Sequence, residues 1–246
     1  MNSNRSSFLN NIPPVVKNII AINIVLFIAT AVLPSVFYRF GLNLDLNDIM
    51  GMHYWESPKF NPVQLVTYAF MHGGLTHIFF NLFAVYMFGS ILEHVWGPKR
   101  FLIYYLITAI GAGIVQQIFW TIEFQPALNA INHEIASNFQ NAASLTEQKK
   151  LFLANPNFIT IGASGSVFGL LLAFGWLFPE EKLFLMFIPI PIKARIFVLG
   201  YGLIELFQGV ANFTGDNVAH FAHLGGMLFG AILILIWKRN NSLYNK

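Results

Sequence analysis

Three short runs gather hydroxyl, imidazole and amide side chains within a strongly apolar chain. The first is Met71-His72-Gly73-Gly74, followed by His77-Ile78-Phe79-Phe80-Asn81. The second is Gly162-Ala163-Ser164-Gly165-Ser166-Val167-Phe168-Gly169. The third is Ala219-His220-Phe221-Ala222-His223-Leu224-Gly225-Gly226, with Gly230 one turn further. Such side chains are costly inside apolar spans, so each is a candidate for function. A serine hydroxyl is a weak nucleophile without a base in hydrogen-bond reach. His223 is the base that suits Ser164. His77 and Asn81 lie four residues apart and share one helix face. Their N–H donors suit the stabilisation of an oxyanion. Gly162 and Gly165 let the backbone turn tightly at Ser164 and let a substrate approach. Gly226 and Gly230 form a small-xxx-small pair that allows close helix packing. The expected partner is the helix of Ser164, with Phe168 against the His223 ring.

The elements that position these groups follow from composition. The chain has 246 residues, of which 56% are hydrophobic, 10% are charged and none is cysteine. Soluble domains carry about a quarter charged residues. The composition excludes a disordered chain, a disulfide-stapled module and a cysteine metal site. It points to an integral membrane protein. The net charge of +3 does not imply nucleic acid, because the basic residues form no stripe.

About 20 apolar residues cross a bilayer as a helix. Six such stretches are expected, near Val15–Leu33, His77–Val95, Phe101–Trp120, Ile161–Phe178, Ala194–Phe213 and Val218–Trp237. Ala29-Thr30-Ala31 resembles a signal-peptidase site, but the preceding apolar run is long for a cleaved signal. With the N-terminus inside, outer loops hold only Arg39, Lys59, Lys149 and Lys150 of the 14 Lys and Arg. That bias places both termini in the cytoplasm. Residues 1–14 and 238–246 then flank a membrane domain of residues 15–237. Two outer loops are long. Residues 34–76 read as an interfacial segment, and residues 121–160 as a partly helical, solvated spacer. Ser164 to Phe178, His223 to Trp237 and Asn81 to Val95 each span about 21 Å at helical rise. The three candidate groups therefore share one depth, on the outer side.

At these residues the sequence resembles the rhomboid intramembrane serine proteases, over nearly the whole chain. Gly162-Ala163-Ser164-Gly165 fits the family's Gly-x-Ser-Gly motif, which implies Ser164 as nucleophile. Ala222-His223, Gly226 and Gly230 fit its Ala-His-x-x-Gly-x-x-x-Gly run, which implies His223 as base. His77 and Asn81 fit its His-x-x-x-Asn pair. Gly89, Glu93 and Gly97 resemble the cytoplasmic end of its second helix. The resemblance implies an all-α, polytopic fold, a six-helix rhomboid-like bundle. It also implies cleavage of transmembrane protein substrates within the lipid bilayer, without cofactor.

No acidic residue is expected to complete a triad. Asp216 falls in a loop and Glu205 lies mid-span, where it or Gln208 faces a water-filled cavity or a partner helix. The expectation is a Ser–His dyad, with His223 held by packing. Ser166 is the rival nucleophile. His220 and His223 are spaced i, i+3, but there is no His-Glu-x-x-His and no cysteine, so no metal is expected. His220 and His72 read as supporting residues. Gly215-Asp216 alone does not make an aspartyl protease. Helix five and the loop Phe213–Asn217 are candidates for a gate and a lid. The competing classes are a non-catalytic rhomboid-like factor that binds membrane proteins, and a small transporter or channel. A bacterial plasma membrane is the expected location.

Overall fold

The computed structural model describes residues 12–138, 140–155, 158–185, 188–211, 218–240 and 243. The chain is mostly helical. Helix α1 spans Pro14–Tyr38 and short α2 spans Leu46–Met50. Strand β1 (Met52–His53), α3 (Gln64–Thr67) and a 3-10 turn at Tyr68–Phe70 follow. Helix α4 (Leu75–Ala84) continues through a π-helical turn at Val85–Gly89 into α5 (Ser90–Trp96). Helix α6 spans Pro98–Ser137 and α7 spans Ala142–Leu153. Strand β2 (Ile159–Thr160) leads to α8 (Ser164–Leu177). The hairpin β3–β4 (Lys182–Leu185, Ile188–Lys193) precedes α9 (Ala194–Ala211) and α10 (His220–Arg239).

Among the described residues, five helical stretches are long and apolar enough to cross a membrane: Pro14–Tyr38, Leu75–Trp96, Pro98–Ser137, Ala194–Ala211 and His220–Arg239. The fourth expected span is a shorter apolar helix of 14 residues, Ser164–Leu177. Its first turn is lost because Gly162 has φ +130°. That backbone conformation suits glycine and cannot belong to a right-handed helix.

Helix α8 is the most enclosed, with Gly165 through Leu171 all buried. It packs between α6 and α10. Tyr104 Oη donates to the Gly169 carbonyl at 2.8 Å, and Ser166 Oγ donates to the Tyr105 carbonyl at 2.9 Å. Helix α6 thus clamps one side of α8 with polar bonds. Towards the α10 C-terminus, Trp96, Tyr104 and Trp237 form an aromatic cluster. Its ring centroids lie 4.8 Å apart for Trp96–Tyr104 and 5.2 Å apart for Trp96–Trp237. The Arg100 guanidinium sits 5.4 Å over the Trp237 ring, a favourable cation–π placement.

The long loops differ from the expectation. Helix α1 runs through Pro34 to Tyr38, and α6 continues to Ser137. Residues 121–160 are not a mere spacer. Strand β2 pairs antiparallel with β1, joining Met52 to Thr160 and His53 to Ile159. Phe124, Leu128 and Leu153 bury themselves with Tyr54 and Trp120 in a second apolar cluster. Apolar burial of this kind outweighs the freedom of a solvated segment. Gln117 fixes the arrangement. Its amide donates to the His53 carbonyl at 2.6 Å and accepts from the Trp55 N–H at 2.9 Å. The two long connections therefore close on each other over the α6 end of the bundle.

Candidate active site

Ser164 is the first residue of α8, and His223 lies in the first turn of α10. Ser164 Oγ and His223 Nε2 are 2.8 Å apart. Their meeting depends on the glycine contact anticipated from the sequence. A Cβ added to Gly226 would collide with the Gly165 carbonyl, so the two helices touch backbone to backbone. Gly165 in turn packs on the Ala112 side chain of α6. Gly230 does not share the α8 contact. It faces Tyr104 and Thr108 of α6, because one turn of α10 carries it past the crossing point.

Phe168 stacks on the His223 ring with centroids 4.2 Å apart and planes 9° apart. It also packs against Tyr201 of α9 at 5.4 Å. The imidazole is held by more than packing, however. Glu205 Oε2 lies 2.8 Å from His223 Nδ1 and 2.6 Å from His220 Nδ1. The expectation that no acid reaches His223 is thereby corrected. Helix α9 turns Glu205 towards the partner helix α10, and both the carboxylate and the two rings are buried. The cue in the sequence was the lone acid within an apolar span, since such a residue usually has a named partner. Donor atoms of Glu205, His220 and His223 all lie within 4.8 Å of one another. The two N···O distances are those of charge-assisted hydrogen bonds. The arrangement therefore reads as a carboxylate shared by two imidazoles.

His77 and Asn81 stand on α4. His77 Nε2 lies against Gly162, where an added Cβ would come within 2.6 Å of it. The same Cβ would stand 3.7 Å from Ser164 Oγ. His77 and Ser164 therefore border one space, kept open by a glycine. Asn81 is buried one turn further, and its Nδ2 has no hydrogen-bond acceptor among the described residues. An orphan buried donor is uncommon and calls for an explanation. His72 is buried, with its ring 5.0 Å from that of His77. Burial first, and His77 second, push its pKa from 6.5 down to about 4. His72 is thus a neutral support behind His77.

Two backbone features complete the site. The Gly162 N–H donates to the Tyr68 carbonyl at 2.9 Å, while Tyr68 Oη donates to the Ala109 carbonyl at 2.7 Å. Tyr68 was not singled out from the sequence, since a buried tyrosine in a loop has no periodic signature. Ala163 caps α8 without a side-chain bond, so the N–H groups of its first turn lack intrahelical acceptors. They present positive dipole beside Ser164. The Ser166 hydroxyl is engaged elsewhere, by its bond to the Tyr105 carbonyl of α6. Residues 212–217, with the suggested lid and Asp216, lie outside the described residues.

The sequence profile of the Rhomboid domain matches residues 59–240, most of the chain. RHOMBOID-like protein 12, mitochondrial, of Arabidopsis thaliana is 29% identical over 71% of this chain and 45% of its own. Rhomboid protein 1, mitochondrial, of Saccharomyces cerevisiae is 27% identical over 69% of this chain and 40% of its own. Rhomboid protease GluP of Bacillus subtilis is 26% identical over 68% of this chain and 24% of its own. The chain thus spans less than half the length of these three relatives. Several relatives carry mitochondrial or chloroplastic names, and the expected bacterial plasma membrane gains no support from them. The profile match and the apolar helices together make this multi-pass membrane protein a member of the rhomboid family.

Proposed function

We propose that the chain is an intramembrane serine endopeptidase that cleaves spanning segments of other membrane proteins. The observation that carries this reading is the 2.8 Å contact between Ser164 Oγ and His223 Nε2 at the start of α8 and α10. In this reading Ser164 Oγ attacks the carbonyl carbon of a substrate peptide bond as its proton passes to His223 Nε2. The developing oxyanion meets the N–H groups at the start of α8, with Asn81 Nδ2 and His77 as further donors. The C–N bond then breaks, and the imidazolium gives its proton to the leaving amine. Water, activated by His223, hydrolyses the acyl-enzyme and restores Ser164.

Several features support the depth of this chemistry. Among the described residues, five helices are long and apolar enough to cross a membrane, and the pair sits at the start of one of them, α10, and of the shorter apolar α8. The two long connections meet at the same end of the bundle as Ser164, where β1 pairs with β2 and the Gly162 N–H bonds to the Tyr68 carbonyl. In this reading both termini are cytoplasmic and that end faces outside, so the proposed substrates unwind into a cavity open to that side. The non-catalytic alternative, a factor that only binds membrane proteins, has no use for a nucleophile and base at hydrogen-bond distance.

The test is covalent labelling of the full chain in liposomes with a serine-reactive fluorophosphonate. The proposal expects labelling that Ser164→Ala abolishes and His223→Ala slows by at least ~10². Equal labelling of wild type and Ser164→Ala would contradict it.

A further inference from the structure

We infer that Glu205 is the positioning residue that fixes His223 in the tautomer and orientation needed to deprotonate Ser164, so that the site works as a Glu–His–Ser relay of contacts and not as a dyad. This rests on the protease reading above. Glu205 Oε2, His223 Nδ1, His223 Nε2 and Ser164 Oγ form an unbroken chain with links of 2.8 Å and 2.8 Å. A carboxylate only accepts hydrogen bonds, so it requires N–H at Nδ1. The neutral ring then presents its lone pair at Nε2, towards Ser164. When Nε2 takes the serine proton, the carboxylate lies against the imidazolium and stabilises it.

The placement is specific. Glu205 is the sole acid between Ala194 and Ala211, and it is buried on a helix where only Ala194 and Val198 are buried besides. Its neighbours Leu203, Ile204, Leu206 and Phe207 are all exposed. An unpaired carboxylate there would be expensive, and its partners are the two histidines of α10. His220 holds the same oxygen at 2.6 Å, which fixes the carboxylate from a second direction. Phe168 covers one face of the His223 ring. The titratable groups around His223 are Glu205 and Tyr201 of α9, His220 of α10 and His77 of α4.

The experiment compares wild type, Glu205→Gln and Glu205→Asp in liposomes. The fluorophosphonate endpoint counts competent sites, and the labelling rate per site is followed from pH 5 to 9. Glu205→Gln is expected to label to the wild-type endpoint at a rate at least ~10² lower. The midpoint of its acid limb is expected to move, because the side chain that faces His223 Nδ1 at 2.8 Å has changed. Glu205→Asp is expected to recover part of the rate and most of the midpoint. A Glu205→Gln rate per site within twofold of wild type, with the midpoint unmoved, would overturn the inference. So would loss of wild-type labelling on dialysis against a chelator, which would make the three side chains a metal centre. Failure of Ser164→Ala to abolish labelling sinks the protease reading itself and is read separately.

Discussion

Gly226 and Gly165 touch backbone to backbone, with no room for a single methyl group between them. This contact sets the crossing of α8 and α10, and it lies one residue from Ser164 and three from His223. Ser164 and His223 meet because the helices that carry them can approach this closely.

Gly226→Ala should therefore separate the pair. Overpacking of this kind costs about 1–3 kcal/mol, and here the obstacle is backbone, which cannot swing aside. The expected result is a lowered melting temperature in detergent, together with a fluorophosphonate labelling rate reduced by more than ~10-fold. Gly200→Ala on α9 is the control, since a Cβ there meets nothing within 4 Å. Equal rates for the two variants would show that the contact does not govern the site.

Asn81 tests the oxyanion assignment. Its buried Nδ2 has no acceptor among the described residues, as expected of a donor reserved for a transient oxygen. Asn81→Ala should lower kcat by about 10²–10³ with KM little changed. The protein should lose little stability, because no existing hydrogen bond from Nδ2 is broken. A rise in KM at constant kcat would move Asn81 from transition-state stabilisation to ground-state binding.

Glu93 explains the fourth resemblance in structural terms. Its carboxylate accepts from the N–H groups of Val15 at 3.0 Å and Val16 at 2.8 Å. Two orphan donors at the start of α1 are thereby satisfied, and the anion faces the positive end of that helix. Glu93→Ala should destabilise the fold by about 1–3 kcal/mol, because buried donors lose their partner. The labelling rate per competent site should stay within twofold of wild type. Thermal unfolding in detergent measures the first quantity and endpoint-normalised labelling the second.

His72 predicts an acid dependence of stability. Its folded pKa is about 4, below its ordinary 6.5, because burial disfavours the charged ring and His77 adds to the effect. The unfolded chain binds a proton there first as the pH falls. The contribution is intact above about pH 6.5, declines as the pH drops towards 4 and levels off below it. The stability difference between wild type and His72→Gln should therefore narrow across that window. A difference independent of pH from 7 to 4 would contradict the assignment.

Much of this arrangement was legible in the sequence, for physical reasons. Apolar length marked the long helices, and equal helical depth put Ser164, His223 and Asn81 in one layer. The small residues Gly226 and Gly230 announced a close crossing with the helix of Ser164, and of the two Gly226 makes it. Helix rotation was not legible. Along α9 nearly every residue is apolar, so nothing in the pattern said that Glu205 faces α10 and the lipid-like residues face away. Long-range pairing was hidden too. Met52–His53 and Ile159–Thr160 are two residues each, too short for a strand signal, and they meet only because α6 carries the chain back across the bundle. The α8 start moved from Ile161 to Ser164 because Gly162 adopts a conformation that a helix cannot continue.

Cleavage of a single-span reporter in liposomes tests the central claim most directly. Wild type, Ser164→Ala and Ser166→Ala are compared at equal folded protein. Cleavage by wild type and Ser166→Ala, with none by Ser164→Ala, is the predicted result. Ser166→Ala should melt somewhat lower, since its bond to the Tyr105 carbonyl is worth about 1 kcal/mol. Cleavage by Ser164→Ala at the wild-type rate would contradict the assignment of the nucleophile and, with it, the account of the site.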